Sequence, residues 1–67
     1  MAKLPSLTPK ELVRILRQHG FIPDRQSGSH LVLYQPAAKK RVVVPIHSKD
    51  IPKGTLHSIL KNAGIEL

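Results

Sequence analysis

The chain has 67 residues, carries eleven Lys and Arg against four Asp and Glu for a formal net charge of +7, and has no cysteine. That length holds a single domain, residues 1–67, and leaves no room for a deep substrate cavity, because so short a chain buries only roughly 60% of its unfolded surface. The charge favours a polyanionic partner, nucleic acid first, and the missing cysteines exclude disulfides and Cys-built zinc sites.

Residues 1–7 read as an extension ahead of the first element. They contain no apolar run of signal-peptide length, and no stretch of the chain could span a membrane. With cysteine absent, a cytoplasmic location and no membrane partner are expected. Thr8-Pro9-Lys10-Glu11 is a helix start: Thr8 as N-cap, Pro9 at the first helical position, and Glu11 completing a capping box. Leu12, Ile15, Leu16 and His19 then share one face at helical spacing, with Val13 at its edge. His19 is accordingly expected to be half-buried. Gly20 stops the helix, and Phe21 is placed to pack back on Leu16 as in a Schellman motif.

Three strand candidates follow. Phe21 to Gln26 is demoted to an edge by Pro23. His30 to Gln35 and the Val-rich Arg41 to Ile46 are stronger. Ser27-Gly28-Ser29 reads as a short hairpin turn and Pro36 to Lys40 as a longer one. A second helix begins near Pro52, presents Leu56, Ile59, Leu60 and Ala63 on one face, and ends at Gly64 with Ile65 packing on Leu60. Its ending repeats that of the first helix.

The predicted fold class is α+β, in the order α-β-β-β-α. Short connections imply a three-stranded antiparallel sheet with both helices on one face. Strand alternation turns Leu31, Leu33, Val42, Val44 and Ile46 toward the helices. His30, Val32, Tyr34, Arg41, Val43 and Pro45 then lie on the uncovered face. A slip of one residue would reverse this assignment.

The chain lacks a phosphate-binding Gly-rich loop, a His-Glu-x-x-His helix and a Gly-x-Ser-x-Gly elbow. Its four acids are scattered, so no metal site is expected and no cofactor is implied. What remains is acid–base chemistry. Histidine is the side chain that exchanges protons near neutral pH. His30, following the Gly28-Ser29 turn, is the catalytic candidate, with Gly28 and Ser29 shaping the approach to it. RNA supplies its own nucleophile, the 2′-hydroxyl, so one proton-moving group and a few cations suffice for cleavage. On spacing alone, the alternative is a histidine that caps a turn or fills a strand position.

Candidate RNA contacts are the tip Lys39-Lys40-Arg41 and the pair Lys53-Gly54. The latter sits where free N–H groups at a helix start favour phosphate and a bare backbone permits close approach. Tyr34 and His47 are auxiliary candidates, and His57 reads as solvated. With Tyr34 and Phe21 the only aromatic residues, recognition would lean on backbone and shape rather than base stacking.

Five pieces then stand in order over about 55 residues: His19-Gly20-Phe21; Gly28-Ser29-His30; Val42-Val43-Val44-Pro45-Ile46-His47; Lys53-Gly54-Thr55-Leu56; and Ile59 through Ile65. In these the chain resembles the HicA toxins, also called YcfA-like proteins. The resemblance implies a fold like the double-stranded RNA-binding domain and a toxin that cleaves mRNA, with His30 essential. It also implies a HicB-type antitoxin protein as partner. Two alternatives stand beside it: a non-catalytic double-stranded RNA-binding module, and a domain whose task is to dock an acidic protein.

Overall fold

A computed structural model describes residues 6–46 and 49–66. Helix α1 (Pro9–Gln18) is followed by β1 (Ile22–Ser27), β2 (His30–Gln35), β3 (Lys40–Pro45) and α2 (Lys53–Ala63). The strands form one antiparallel sheet in the order β1-β2-β3. This is the α+β arrangement expected.

Both helices close as the sequence dictates. The Glu11 N–H donates to Thr8 Oγ1 (3.2 Å) and the Thr8 N–H donates to Glu11 Oε1 (2.9 Å), which completes the capping box. Such a cap satisfies two of the four N–H groups a helix start leaves open. At the other end Gly20 adopts φ 91°, the Phe21 N–H reaches the Leu16 carbonyl (3.0 Å) and the Gly20 N–H reaches that of Arg17 (3.1 Å). Gly64 repeats the pattern with φ 74° and a bond from the Ile65 N–H to the Leu60 carbonyl (2.9 Å). These are Schellman geometries, which need a left-handed residue that glycine supplies.

The outer strands each sit one residue from their expected bounds. Phe21 is consumed by the end of α1 and is buried, so β1 starts at Ile22 and runs to Ser27. Ser27 then pairs with His30, and the hairpin loop is Gly28-Ser29 alone, with Gly28 at φ 58°. Pairing of Gln35 with Lys40 starts β3 early and leaves Pro36–Lys39 as the second loop, Lys39 standing at φ 53°. Ile46 leaves the ladder after one last bond, its N–H to the Ser29 carbonyl (2.7 Å). By the alternation of antiparallel bonding, Pro45 therefore turns its nitrogen to the free edge, where no donor is needed. A bulge at Asp24 interrupts β1, which is exposed along its whole length.

Leu33, Val42 and Val44 from one face of the sheet join Leu12 and Leu16 of α1 and Leu56, Ile59, Leu60 and Ala63 of α2 in a single buried cluster. Each Leu, Ile or Val among them contributes roughly 1.5–3 kcal/mol by leaving water. Leu7 and Ile51 belong to the same cluster, and the Ile51 N–H donates to the Leu7 carbonyl (2.9 Å). That bond brings the starts of the two helices together. Their ends lie at the other extremity: the Gln35 side-chain amide donates to the His19 carbonyl, and Lys40 lies against Gly64. Both helices thus run from the His30 end of the sheet toward the Gln35–Lys40 end.

Candidate functional site

His30 opens β2 on the face the helices leave bare. The two-residue loop before it sets its position, since Gly28 can take a positive φ that would strain a larger residue. Ser27 and Pro45 flank it across the two strand pairs. The imidazole is exposed, and among the described residues no hydrogen bond or ion pair holds it. Ser29 is half-buried, its carbonyl engaged by the Ile46 N–H. The ring is therefore free to meet a substrate from solvent on a backbone held firmly on both sides.

The bare face carries three rows across the sheet. Ser27, His30 and Pro45 form the row at the loop; Arg25, Val32 and Val43 form the middle; Ile22, Tyr34 and Arg41 form the far row. The far row is a cluster of its own. The Arg41 guanidinium lies 5.0 Å from the centre of the Tyr34 ring, and its Nη2 is 3.7 Å from Oδ2 of Asp24 in the bulge. Both ionic partners are exposed, so the pair contributes at most about 1 kcal/mol, yet it gives Arg41 a preferred direction. Four residues of strand place Tyr34 about 13 Å from His30.

The Lys39-Lys40-Arg41 tip stands at that far end as well. Its members do not act alike. Lys39 is exposed, while Lys40 is half-buried and turned toward α2, its Nζ 2.6 Å from where a Cβ on Gly64 would stand. A cation there faces the negative end of the helix dipole.

Lys53 and Gly54 occupy the first turn of α2 and are exposed. Pro52 stands at the N-cap without a side-chain acceptor, and no acid occupies the first turn. Among the described residues no side chain caps the N–H groups of this turn, which suits them to an anion. Gly54 borders a groove of about 440 Å³ with Arg41, Val42, Val43, Thr55 and Ser58, and a Cβ placed on it would meet nothing within 4 Å. The fold does not require glycine at this position.

The other histidines divide. His47 lies outside the described residues. His57 is exposed, as expected. His19 is exposed rather than half-buried: it is the C-cap of α1, and its Nδ1 lies 2.9 Å from the Ile15 carbonyl. The apolar stripe of α1 ends one turn before it, at Leu16. Among the described residues no three His, Asp or Glu side chains gather as a metal would need, and no helix is long and apolar enough to cross a membrane.

One set of cations drew no expectation from the sequence. Lys10, Arg14 and Arg17 line a shallow cleft on α1, a spacing of four and then three that was there to be read. The family described as HicA toxin of bacterial toxin-antitoxin matches residues 9–65 of the chain. Among curated proteins nothing matches it.

Proposed function

The chain belongs to the HicA toxin family of bacterial toxin–antitoxin systems, and on that premise we propose that it is a metal-independent endoribonuclease acting on mRNA in the cytoplasm. His30 is its catalytic residue, and a HicB-type antitoxin is its inhibitor. The observation that carries this reading is the setting of His30: a solvent-facing imidazole without a bonding partner among the described residues, on a tightly anchored hairpin. Binding alone has no need of such a group.

The reaction follows from RNA's own chemistry. The 2′-oxygen attacks the adjacent phosphorus in line, the bond to the 5′-oxygen breaks, and the products are a 2′,3′-cyclic phosphate and a free 5′-hydroxyl. One proton leaves the 2′-hydroxyl and one arrives at the departing 5′-oxygen. His30 carries out one of these transfers, and solvent, which reaches the ring freely, serves the other. Lys53 and the open N–H groups of the first turn of α2 offset charge on the phosphorane. Gly28 and Ser29 hold the approach to His30, and Gly54 leaves space for the backbone. Lys39 and Arg41, with Tyr34, contact RNA farther along the strand, while Lys40 is turned away from them toward the end of α2. The antitoxin, an acidic counterpart to a +7 chain, covers these groups when bound.

The test is incubation of the purified protein and its His30→Ala variant with a long single-stranded RNA in EDTA. Cleavage by the parent, 2′,3′-cyclic ends on the products and loss of cleavage by at least ~10³-fold in the variant are expected, with an unchanged melting temperature because the side chain is exposed. Cleavage retained by the variant would remove His30 from the mechanism. Binding without cleavage by either protein would favour the double-stranded RNA-binding module.

A further inference from the structure

Among the described residues, the outward surface of α1 is a strongly charged patch that the proposed site does not use. Lys10, Arg14 and Arg17 project from successive turns and line a shallow cleft of about 520 Å³ with Val13 and Gln18. At 1.5 Å per residue the three charges span about 10 Å along the helix. Glu11 is the acid on this helix, and it is committed to the cap by its bonds to Thr8. Among the described residues no carboxylate lies within 4.0 Å of any of the three cations.

We propose that this row is a second binding track for the phosphodiester backbone of RNA, separate from the groups around His30. It rests on the reading of the chain as an RNA-acting protein. Three features distinguish the row from an ordinary solvated face. Its three members are of one sign, and the acid of this helix, Glu11, though near Arg14, is tied to the Thr8 cap. The row has a shallow recess, lined also by the half-buried Val13 and by Gln18, into which a chain of phosphates can settle. It also begins at the end of the molecule where the two helix starts meet, which is the His30 end, and leads away from it.

A lipid surface fits poorly. Leu12 and Leu16 of α1 are fully buried in the core, and Val13 and Ile15 are half-buried against it, so the helix presents no wholly free apolar face to insert.

The measurement is the salt dependence of binding. A twenty-nucleotide single-stranded RNA of mixed sequence is titrated with the His30→Ala protein, which leaves it uncut. The same titration is made with that protein also carrying Lys10→Gln, Arg14→Gln and Arg17→Gln. Each lost phosphate contact lowers the slope of log K against log salt by about 0.7, so the triple change should lower it by about 2. That corresponds to roughly 50-fold weaker binding at 0.15 M salt, with the difference closing toward 1 M. Arg14→Gln alone should take about a third of the slope change, and Lys10→Arg with Arg14→Lys and Arg17→Lys should restore the whole.

A slope equal to that of the His30→Ala parent would overturn the α1 track and leave the reading of His30 intact. Absence of salt-dependent RNA binding by the His30→Ala parent would overturn the RNA reading itself. Circular dichroism of each variant guards the comparison; should the triple variant lose its helix, Arg14→Gln carries the test.

Discussion

At the scale of single residues, Glu11 and Lys39 show how local geometry fixes energetics. Glu11 accepts hydrogen bonds from the Thr8 N–H and side chain, and Arg14 lies nearby. The backbone bond first, then the hydroxyl, then the Arg14 charge hold its carboxyl below the ordinary glutamate value. A group whose folded value is lowered adds stability at pH values above its unfolded titration. That stability fades as the pH falls through the folded value. Stability measured by urea denaturation should therefore decline below the ordinary carboxylate range in the native chain. In Glu11→Gln that decline should be smaller, and an identical acid limb in the two proteins would exclude the capping carboxylate as its source. Lys39 holds φ 53° without being glycine, a conformation that costs an L-residue roughly 1–2 kcal/mol. The second loop accepts this strain to pair Gln35 with Lys40.

At the scale of elements, the two helices end alike and begin differently. α1 has a capping box; α2 has Pro52 and open N–H groups. A well-capped helix start serves stability, whereas an open one keeps its donors available. Gly54 belongs to the open start. Because a Cβ there meets nothing and its φ is not positive, Gly54→Ala should stabilise α2 by roughly 0.5–1 kcal/mol. Its melting temperature should rise by a few degrees. If RNA approaches the bare backbone at this turn, cleavage should fall by about tenfold in the same variant, the equivalent of about 1.4 kcal/mol. A stabilised protein with unchanged cleavage would remove Gly54 from the RNA contact. The sheet makes a parallel case: Pro23 and Pro45 both occupy edge strands, and Pro45 sits where the ladder asks for no donor.

At the scale of the whole molecule, charge and size decide behaviour together. The principal extents are 29 × 26 × 16 Å. Screening reaches about 30 Å at 0.01 M salt and about 8 Å at 0.15 M. At the lower salt each cation senses all the others, and a net charge of +7 works against compactness. The melting temperature should therefore rise between 0.01 M and 0.15 M sodium chloride; a flat response would show that local pairs already compensate the charge. The extension ahead of α1 enters at this scale too. Leu7 is buried beside Ile51 and accepts its N–H, so residues just outside the family match help join the two helix starts.

Element order, both Schellman endings, the capping box and the sorting of Leu33, Val42 and Val44 from Tyr34 and Arg41 were legible in the sequence. All of them arise from contacts within about six residues or from strict two-residue alternation. The start of β1 moved by one residue because Phe21 answered to α1 rather than to the sheet, a choice made by burial, and β3 moved because Lys40 pairs with Gln35. His30 could be singled out by its loop, but its distance from Tyr34 and Arg41 required the register of β2. Lys40 could be read as part of a basic tip; its turn toward Gly64 depends on α2 returning along β3. Local chemistry along the chain determined which helices and strands form. Only the packed core, by bringing Leu7 to Ile51 and Lys40 to Gly64, decided which charges share an end of the molecule and which stand apart.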